Sequence, residues 1–447
     1  MTRPRIRLLC LTLGAAALTT PLTACTARST SATALRPTAP TVASATAPTR
    51  TSKTTNQPRA TGTATSAASY QLSGYGLKDL TVNGRAGSED LADLPAGKPG
   101  ELVSTAPVTA PDGLRAWRML YHSTGPDGED RLVTGLVVAP AAGTPVPPGG
   151  RQLVAFGHGT TGINDSCAPS RADSPLSTVG GTLQLARDGN VLAITDYTGL
   201  GGPGEHPIYV ADVEGKAVLD AARAARSLTA AQVGRDVVLW GYSQGGQAVL
   251  AAGGLATAYA PDLPVRGVAA TAPLADLRTS LRELLATPGG VGYLLLAVLG
   301  VTVADPAVNP AGLLTATGRR LSALAHNRCA IDLLQASTGE SVTSVFTSDP
   351  LRTEPFAGAL ERQWQQLEKP GPPKLVLQGD LDTVIRQPTT DNVVRALCAA
   401  GGPVEYRRYQ LADHLTVVNA SMRDLSAWIN ARFATDDTAA PDSCSQL

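Results

Sequence analysis

At 447 residues the chain has room for one large domain or two ordinary ones, and 43% hydrophobic with 17% charged residues is the balance of a globular protein with a real core. The formal charge is zero but unevenly spread: residues 1–68 hold eight basic residues and no acid, which leaves 29 basic against 37 acidic residues in the remainder. A net-acidic body without a basic stripe argues against nucleic acid as a partner.

The first elements read as export machinery. "MTRPRIR" is basic, and "LLCLTLGAAALTT" is apolar but too short for a transmembrane span. "LTAC" follows at 22–25. Residues 1–24 are expected to be a lipoprotein-type signal peptide that leaves Cys25 lipidated; an ordinary secretory signal with an incidental cysteine is the alternative. Two or more acyl chains on Cys25 would anchor the protein stably to a membrane. The expected location is therefore extracellular, at the cell surface, with secretion as the alternative. Residues 25–68 are Thr, Ser, Ala and Pro with a few basic residues, a disordered tether without core-forming material. Residues 69–447 remain for the folded domain.

Six cysteines are present. Cys10 would leave with the signal and Cys25 would carry lipid. Cys167, Cys329, Cys398 and Cys444 are an even set in an exported chain, and four cysteines allow three pairings. Cys167 with Cys329 and Cys398 with Cys444 is favoured, the second pair stapling the C-terminal tail. No CxxC or clustered histidine accompanies them, so no metal is expected.

From about residue 100, "ELVSTAPV", "LRAWRMLYHS", "RLVTGLVVAP" and "RQLVAFGHG" predict successive strands. "TVGGTLQLARDG" predicts a helix stopped by glycine, and "NVLAITDYTG" a long apolar strand. Then helix and strand alternate: "VADVEGKAVLDAARAARSL" helix, "DVVLWGYS" strand, "QGGQAVLAAGGLATAY" helix and "VRGVAATAPL" strand. After an interval come "PKLVLQGD", "TTDNVVRALCAAG", "VEYRRYQ" and "HLTVVNASMRDLSAWINARF", read as strand, helix, strand, helix. The fold class is α/β, a mostly parallel sheet with helices on both faces. The interval, about 276–365, is helical and includes the apolar "GGVGYLLLAVLGVTVA". That run is short and glycine-broken for a membrane span. A buried core helix and a cap over an active site are both open; the cap is preferred because open α/β sheets carry their sites beyond the strand C-termini.

Three residues in order carry chemistry. Gly241-Tyr242-Ser243-Gln244-Gly245 fits G-x-S-x-G, a strained strand-to-helix turn that presents a serine. A serine hydroxyl needs a base within hydrogen-bond reach, and the base needs an orienting acid. Two histidines follow Ser243, namely His326 inside the interval and His414 after the last predicted strand, and His414 is the expected base. Asp382 in "QGDLD" is the expected acid, with Asp380 as the alternative. Asp413 and Asp380 otherwise serve turn hydrogen bonds. Two backbone N–H groups should receive the oxyanion, one from Gln244 and one from Thr160 or its neighbour Thr161. His158 is expected to shape its loop.

"NDSCAPS", "DYTGLGGPGEHPIY", "GYSQGGQA", "LQGDLDTVI" and "LCAAGGPVEYRRYQLADH", in that order, resemble the secretory lipase family of the α/β-hydrolase superfamily over residues 100 to 430. The resemblance implies an α/β-hydrolase fold with an eight-stranded core, a helical cap insertion, and a Ser243–Asp382–His414 triad that hydrolyses carboxylic esters without a cofactor. It also implies a disulfide from Cys167 to the cap. The ends of the chain and the loop "GHGTTG" depart from the fungal members. The expected partner is a small-molecule ester or lipid substrate, which the apolar cap segment would suit. A serine peptidase or acyltransferase on the same fold, and a non-catalytic surface module, are the rival readings.

Overall fold

The computed structural model describes residues 96–365, 369–434 and 440–446, together with a two-residue ribbon pairing Thr81–Val82 with Arg85–Ala86. The expected signal, Cys10, Cys25 and the tether lie outside these residues. All that is described belongs to one compact unit, Ser66–Leu447.

Among the described residues nine strands form one sheet. They are β1 (Leu102–Val108), β2 (Leu114–Thr124), β3 (Asp130–Pro140), β4 (Arg151–Gly157), β5 (Val191–Thr195), β6 (Val233–Tyr242), β7 (Val265–Thr271), β8 (Lys374–Gly379) and β9 (Val404–Tyr409). The order across the sheet is β9-β8-β7-β6-β4-β5-β3-β2-β1. The six strands from β9 to β5 run parallel, and β3, β2 and β1 close that edge antiparallel. The N-terminal meander thus adds a strand to the eight that the family resemblance implies. The central strands are continuous apolar runs because both their faces are covered. In β4, Leu153 and Ala155 face one core while Val154 and Phe156 face the other.

Helices follow the strands: α1 (Ala211–Ser227), α2 (Gln244–Tyr259), α3 (Leu277–Leu284), α4 (Gly290–Ala304), α5 (Ala316–Ala325), α6 (Ala330–Ala336), α7 (Phe356–Trp364), α8 (Gln387–Ala400) and α9 (Thr416–Phe433). α1, α2 and α8 cover one face of the sheet, and α9 covers the other with Leu425, Trp428 and Ile429. Helices α3 to α7 lie between β7 and β8, where the interruption was expected. They enclose a third core that includes Ile208, Tyr209, Val210 and Val213 of the body. α4 is apolar all round because it is the centre of that core, so the buried helix and the cap are one feature. It approaches closely: a Cβ on Gly300 would lie 2.2 Å from the Ile208 carbonyl oxygen. Among the described residues no helix is long and apolar enough to cross a membrane.

Two expectations fail locally. The helix expected over 178–189 is broken into Pro175–Thr178, a 3-10 turn at Gly180–Thr182, and Leu183–Arg187. Adjacent Gly180 and Gly181 have too little helix propensity to carry it through. The strand expected over 190–199 ends at Thr195, because Asp196 turns to accept from Ser170 and Thr134 and Tyr197 takes φ 72°.

Disulfides join Cys167 to Cys329 and Cys398 to Cys444. The second brings the tail beside β9, where Ser443 N–H donates to the Val404 carbonyl at 2.8 Å and Asp442 accepts from Val404 N–H at 3.2 Å.

Leu295 in α4 has no exposed surface. Leu295→Ala should therefore cost about 2–5 kcal/mol of stability, read as a lower denaturation midpoint.

Candidate active site

β6 enters α2 through one residue, Ser243, at φ 56° and ψ −116°. That conformation is unfavourable for a residue with a side chain and survives only where its surroundings enforce it. Here the glycines enforce it. A Cβ on Gly241 would sit 2.0 Å from the Gly245 oxygen, and one on Gly245 would sit 1.8 Å from the Gly157 oxygen. With both side chains absent, β4, β6 and α2 meet backbone to backbone. The Ser243 N–H donates to Thr271 O at 3.0 Å, and its carbonyl accepts from Leu274 N–H at 3.0 Å.

Residues far apart in the chain converge on this turn. His414 Nε2 lies 3.0 Å from Ser243 Oγ, and His414 Nδ1 lies 2.7 Å from Asp382 Oδ2. An Nδ1–H donated to the carboxylate leaves Nε2 free to accept the serine proton, the tautomer a general base requires. Asp382 is fixed in turn: its Oδ1 accepts from Val384 and Ile385 N–H, each at 2.8 Å, and its Oδ2 accepts from Gln378 Nε2 at 3.3 Å. The acid turn and the histidine loop are joined by Leu381 N–H to Ala412 O at 3.0 Å. A Cβ on Gly379 would be 2.3 Å from that same oxygen, so glycine permits the approach. Tyr242 donates its hydroxyl to the His414 carbonyl at 2.9 Å and packs its ring on the imidazole. All three triad residues are buried.

The other candidates sit elsewhere. Asp380 accepts from Arg408 Nε at 2.8 Å, and Asp413 caps the start of α9 by accepting from Leu415 and Thr416 N–H. His326 is spent on the Ser322 carbonyl within the cap. His158 donates Nδ1–H to the Gly159 carbonyl at 2.7 Å and packs against Tyr197. Burial pushes its pKa down, which keeps the ring neutral. The Gln244 N–H opens α2, where no intrahelical carbonyl is available to it. The Thr160 hydroxyl bonds the Tyr209 hydroxyl at 2.9 Å, and the Thr161 carbonyl accepts from Ala330 N–H of the cap at 2.8 Å. Among the described residues no group of three His, Cys, Asp or Glu is arranged to hold a metal ion.

A family model described as secretory lipase matches residues 181–440, the stretch that contains Ser243, Asp382 and His414. The chain belongs to the secretory lipase family. A probable inactive lipase of Mycobacterium tuberculosis is 25% identical over 343 residues, covering 72% of this chain and 75% of that protein. A trichothecene C-3 esterase of Fusarium sporotrichioides is 29% identical over 252 residues, 50% of this chain and 53% of the esterase. Among solved structures, the closed state of Candida antarctica lipase A aligns with a TM-score of 0.62 at 20% identity, over 77% of this chain and 85% of the lipase. The rice cell wall degrading esterase LipA of Xanthomonas oryzae aligns at 0.61 and 20%, over 75% and 97%. These two likenesses bear on the fold.

Behind the nucleophile of this secretory lipase family member lies a polar group that sequence reasoning missed. Glu214 of α1 is fully buried, and its Oε1 accepts from Gln244 Nε2 and from Tyr209 N–H, each at 2.8 Å. Burial pushes its carboxyl up to about 8. His206 donates Nδ1–H to the Thr198 carbonyl at 2.9 Å, and burial holds it down to about 3. One sequence signal was available: Glu214 stands on the apolar stripe of α1, three and four residues before Ala217 and Val218.

These groups act on stability with opposite signs. The folded protein keeps the Glu214 proton from its ordinary value of 4.5 up to about 8, so it binds more protons than the unfolded chain and loses stability as pH rises through that window. Stability linked to His206 rises with pH between about 3 and 6.5, and Asp220, held up to about 6, is finished below that limit. From pH 6.5 to 8 the native protein should therefore lose more stability than Glu214→Gln does. Urea midpoints across that range measure the difference, and parallel declines would refute it.

Proposed function

We propose that this serine ester hydrolase cleaves lipid or medium-chain carboxylic esters outside the cell. The observation that carries the reading is the hydrogen-bonded line from Asp382 through His414 to Ser243, at 2.7 Å and 3.0 Å. His414 Nε2 takes the Ser243 proton as Oγ attacks the ester carbonyl. Asp382 holds the tautomer and balances the imidazolium. The carbonyl electrons move onto oxygen, where the N–H groups of Gln244 and Thr160 receive them, each such donor being worth about 10²–10³ in rate. Collapse of the intermediate expels the alcohol, which His414 protonates, and leaves an acyl group on Ser243. Water, deprotonated by His414, repeats the sequence and releases the acid. Metal and organic cofactors play no part in these steps.

One feature supports an apolar acyl group: the apolar α4 packs against the segment that carries Tyr209, with Gly300 against the Ile208 carbonyl. The Mycobacterium tuberculosis relative is named as probably inactive. In this chain the assembled nucleophile, base and acid speak against a non-catalytic module, and family membership favours esters over peptides or acyl acceptors.

The proposed organisation is a signal over 1–24, a tether over 25–68 beginning at a lipidated Cys25, and a catalytic domain over 69–447 with its cap at about 276–365. The lipoprotein-like "LTAC" and the Thr/Ser-rich composition support it. Cys25→Ser should then shift the protein from the membrane fraction to the medium.

A p-nitrophenyl ester series from acetate to palmitate tests the activity. Medium or long chains should be preferred, and Ser243→Ala should lose roughly 10⁴-fold or more in kcat, together with all fluorophosphonate labelling. A short-chain optimum would leave an esterase but remove the lipid assignment; undiminished turnover by Ser243→Ala would remove the nucleophile.

A further inference from the structure

We propose that Glu214 is a positioning residue for the oxyanion pocket: a single buried oxygen, Oε1, ties the Gln244 wall to the Thr160 wall. This rests on the assignment of those two residues as oxyanion donors.

One tie is direct. Gln244 follows the nucleophile, and its side-chain amide donates to Glu214 Oε1 at 2.8 Å and to His206 Nε2 at 3.4 Å. A side chain held at its tip fixes the residue whose N–H opens α2. The second tie runs through Tyr209. Its N–H donates to the same Oε1 at 2.8 Å, its backbone is held at φ 66°, and its phenol bonds the Thr160 hydroxyl at 2.9 Å. A tyrosine in the left-handed region must be held there, and the bond to Glu214 falls on the residue that needs it. The chain of contacts is therefore Gln244, Glu214, Tyr209, Thr160, from one side of the pocket to the other.

Among the described residues no Lys or Arg bonds Glu214. His206 Nε2 is 3.9 Å away but carries a lone pair, because Nδ1 holds the proton against Thr198 O. The Tyr197 ring stacks on His206, and burial pushes the phenols of Tyr197 and Tyr209 upward. Glu214 thus serves as a neutral acceptor at neutral pH, with its second oxygen unpartnered. A purely structural role also exists. Glu214 stands in the first turn of α1, where Val210 supplies no side-chain cap, so it could merely cap the helix. The two roles separate in kinetics.

The test is kcat and KM on p-nitrophenyl butyrate for the full chain and for Glu214→Leu, Glu214→Gln and Tyr209→Phe, each with a melting curve, from pH 6 to 10. Glu214→Leu should lose about 10–100-fold in kcat with KM within about threefold, because the oxyanion forms only during reaction. Glu214→Gln keeps an acceptor oxygen in place and should restore kcat to within about threefold of native. Tyr209→Phe breaks only the phenol link and should lose about 3–10-fold. Native kcat should fall above pH 8, as a carboxylate forms beside the developing oxyanion, and Glu214→Gln should lack that limb. A folded Glu214→Leu with lowered melting but native kcat would reduce Glu214 to a helix cap and overturn the proposal. So would Glu214→Gln as slow as Glu214→Leu. Should Glu214→Leu not fold, native kcat in Tyr209→Phe overturns it alone. Failure of the ester-hydrolase reading is separate, since it appears as turnover that survives Ser243→Ala.

Discussion

Three stretches of backbone touch beneath Ser243 with no side chain between them, and the rest of the site is built on that contact. Gly157 ends β4, Gly241 is the last residue but one of β6, and Gly245 is the second residue of α2; a methyl group on Gly241 or Gly245 would overlap a carbonyl. Close approach forces the chain to reverse within one residue, so Ser243 is driven to φ 56° and its hydroxyl stands clear of the sheet. Strain of this kind costs of order 1–3 kcal/mol and persists only where the surroundings over-determine it. Hydrogen bonds from Ser243 N–H to Thr271 and from Leu274 to the Ser243 carbonyl supply that determination. Parallel strands on one side of β6 then bring the ends of β8 and β9 to the same rim, which is how residues 382 and 414 reach residue 243.

Much of this was legible in the sequence, for a definable reason. The elbow has local requirements, an apolar strand before and a small-residue helix after, and these are visible in neighbouring residues. Base and acid were recoverable because few histidines follow Ser243 and because an acid must stand just past a strand end. Asp382 and Asp380 were harder to separate, since both follow the strand within three residues. What divides them is three-dimensional: Val384, Ile385 and Gln378 donate to the first, and Arg408 claims the second. Glu214 and His206 stayed hidden because a lone acid on a helix and a lone histidine in a loop look ordinary until their partners are known. The end of β5 was hidden likewise, since Asp196 turns away for partners 26 and 62 residues distant.

The helical insertion is built into the body of the molecule. Its core includes Ile208, Tyr209, Val210 and Val213, the segment that leads into α1 and carries the phenol facing Thr160. The loop after β4 is held to the cap three times: by Cys167–Cys329, by Ala330 N–H to the Thr161 carbonyl, and by Asn164 to the His326 carbonyl at 2.6 Å. Gly162 makes room for this, as a Cβ there would lie 3.0 Å from Ala330 N. The helical insertion and the loop that carries Thr160 are therefore one mechanical unit, and displacement of α6 would be felt directly at the loop.

The C-terminal tail has a quieter effect. β9 is the last strand on its side and would otherwise offer a row of open main-chain groups to any passing chain. Asp442 and Ser443 occupy the amides of Val404 and Tyr406, and Ser443 N–H occupies the Val404 carbonyl, with a covalent bond to α8 preventing release. The molecule thereby ends its own sheet, and a neighbouring copy finds these main-chain groups already taken instead of open for a further strand.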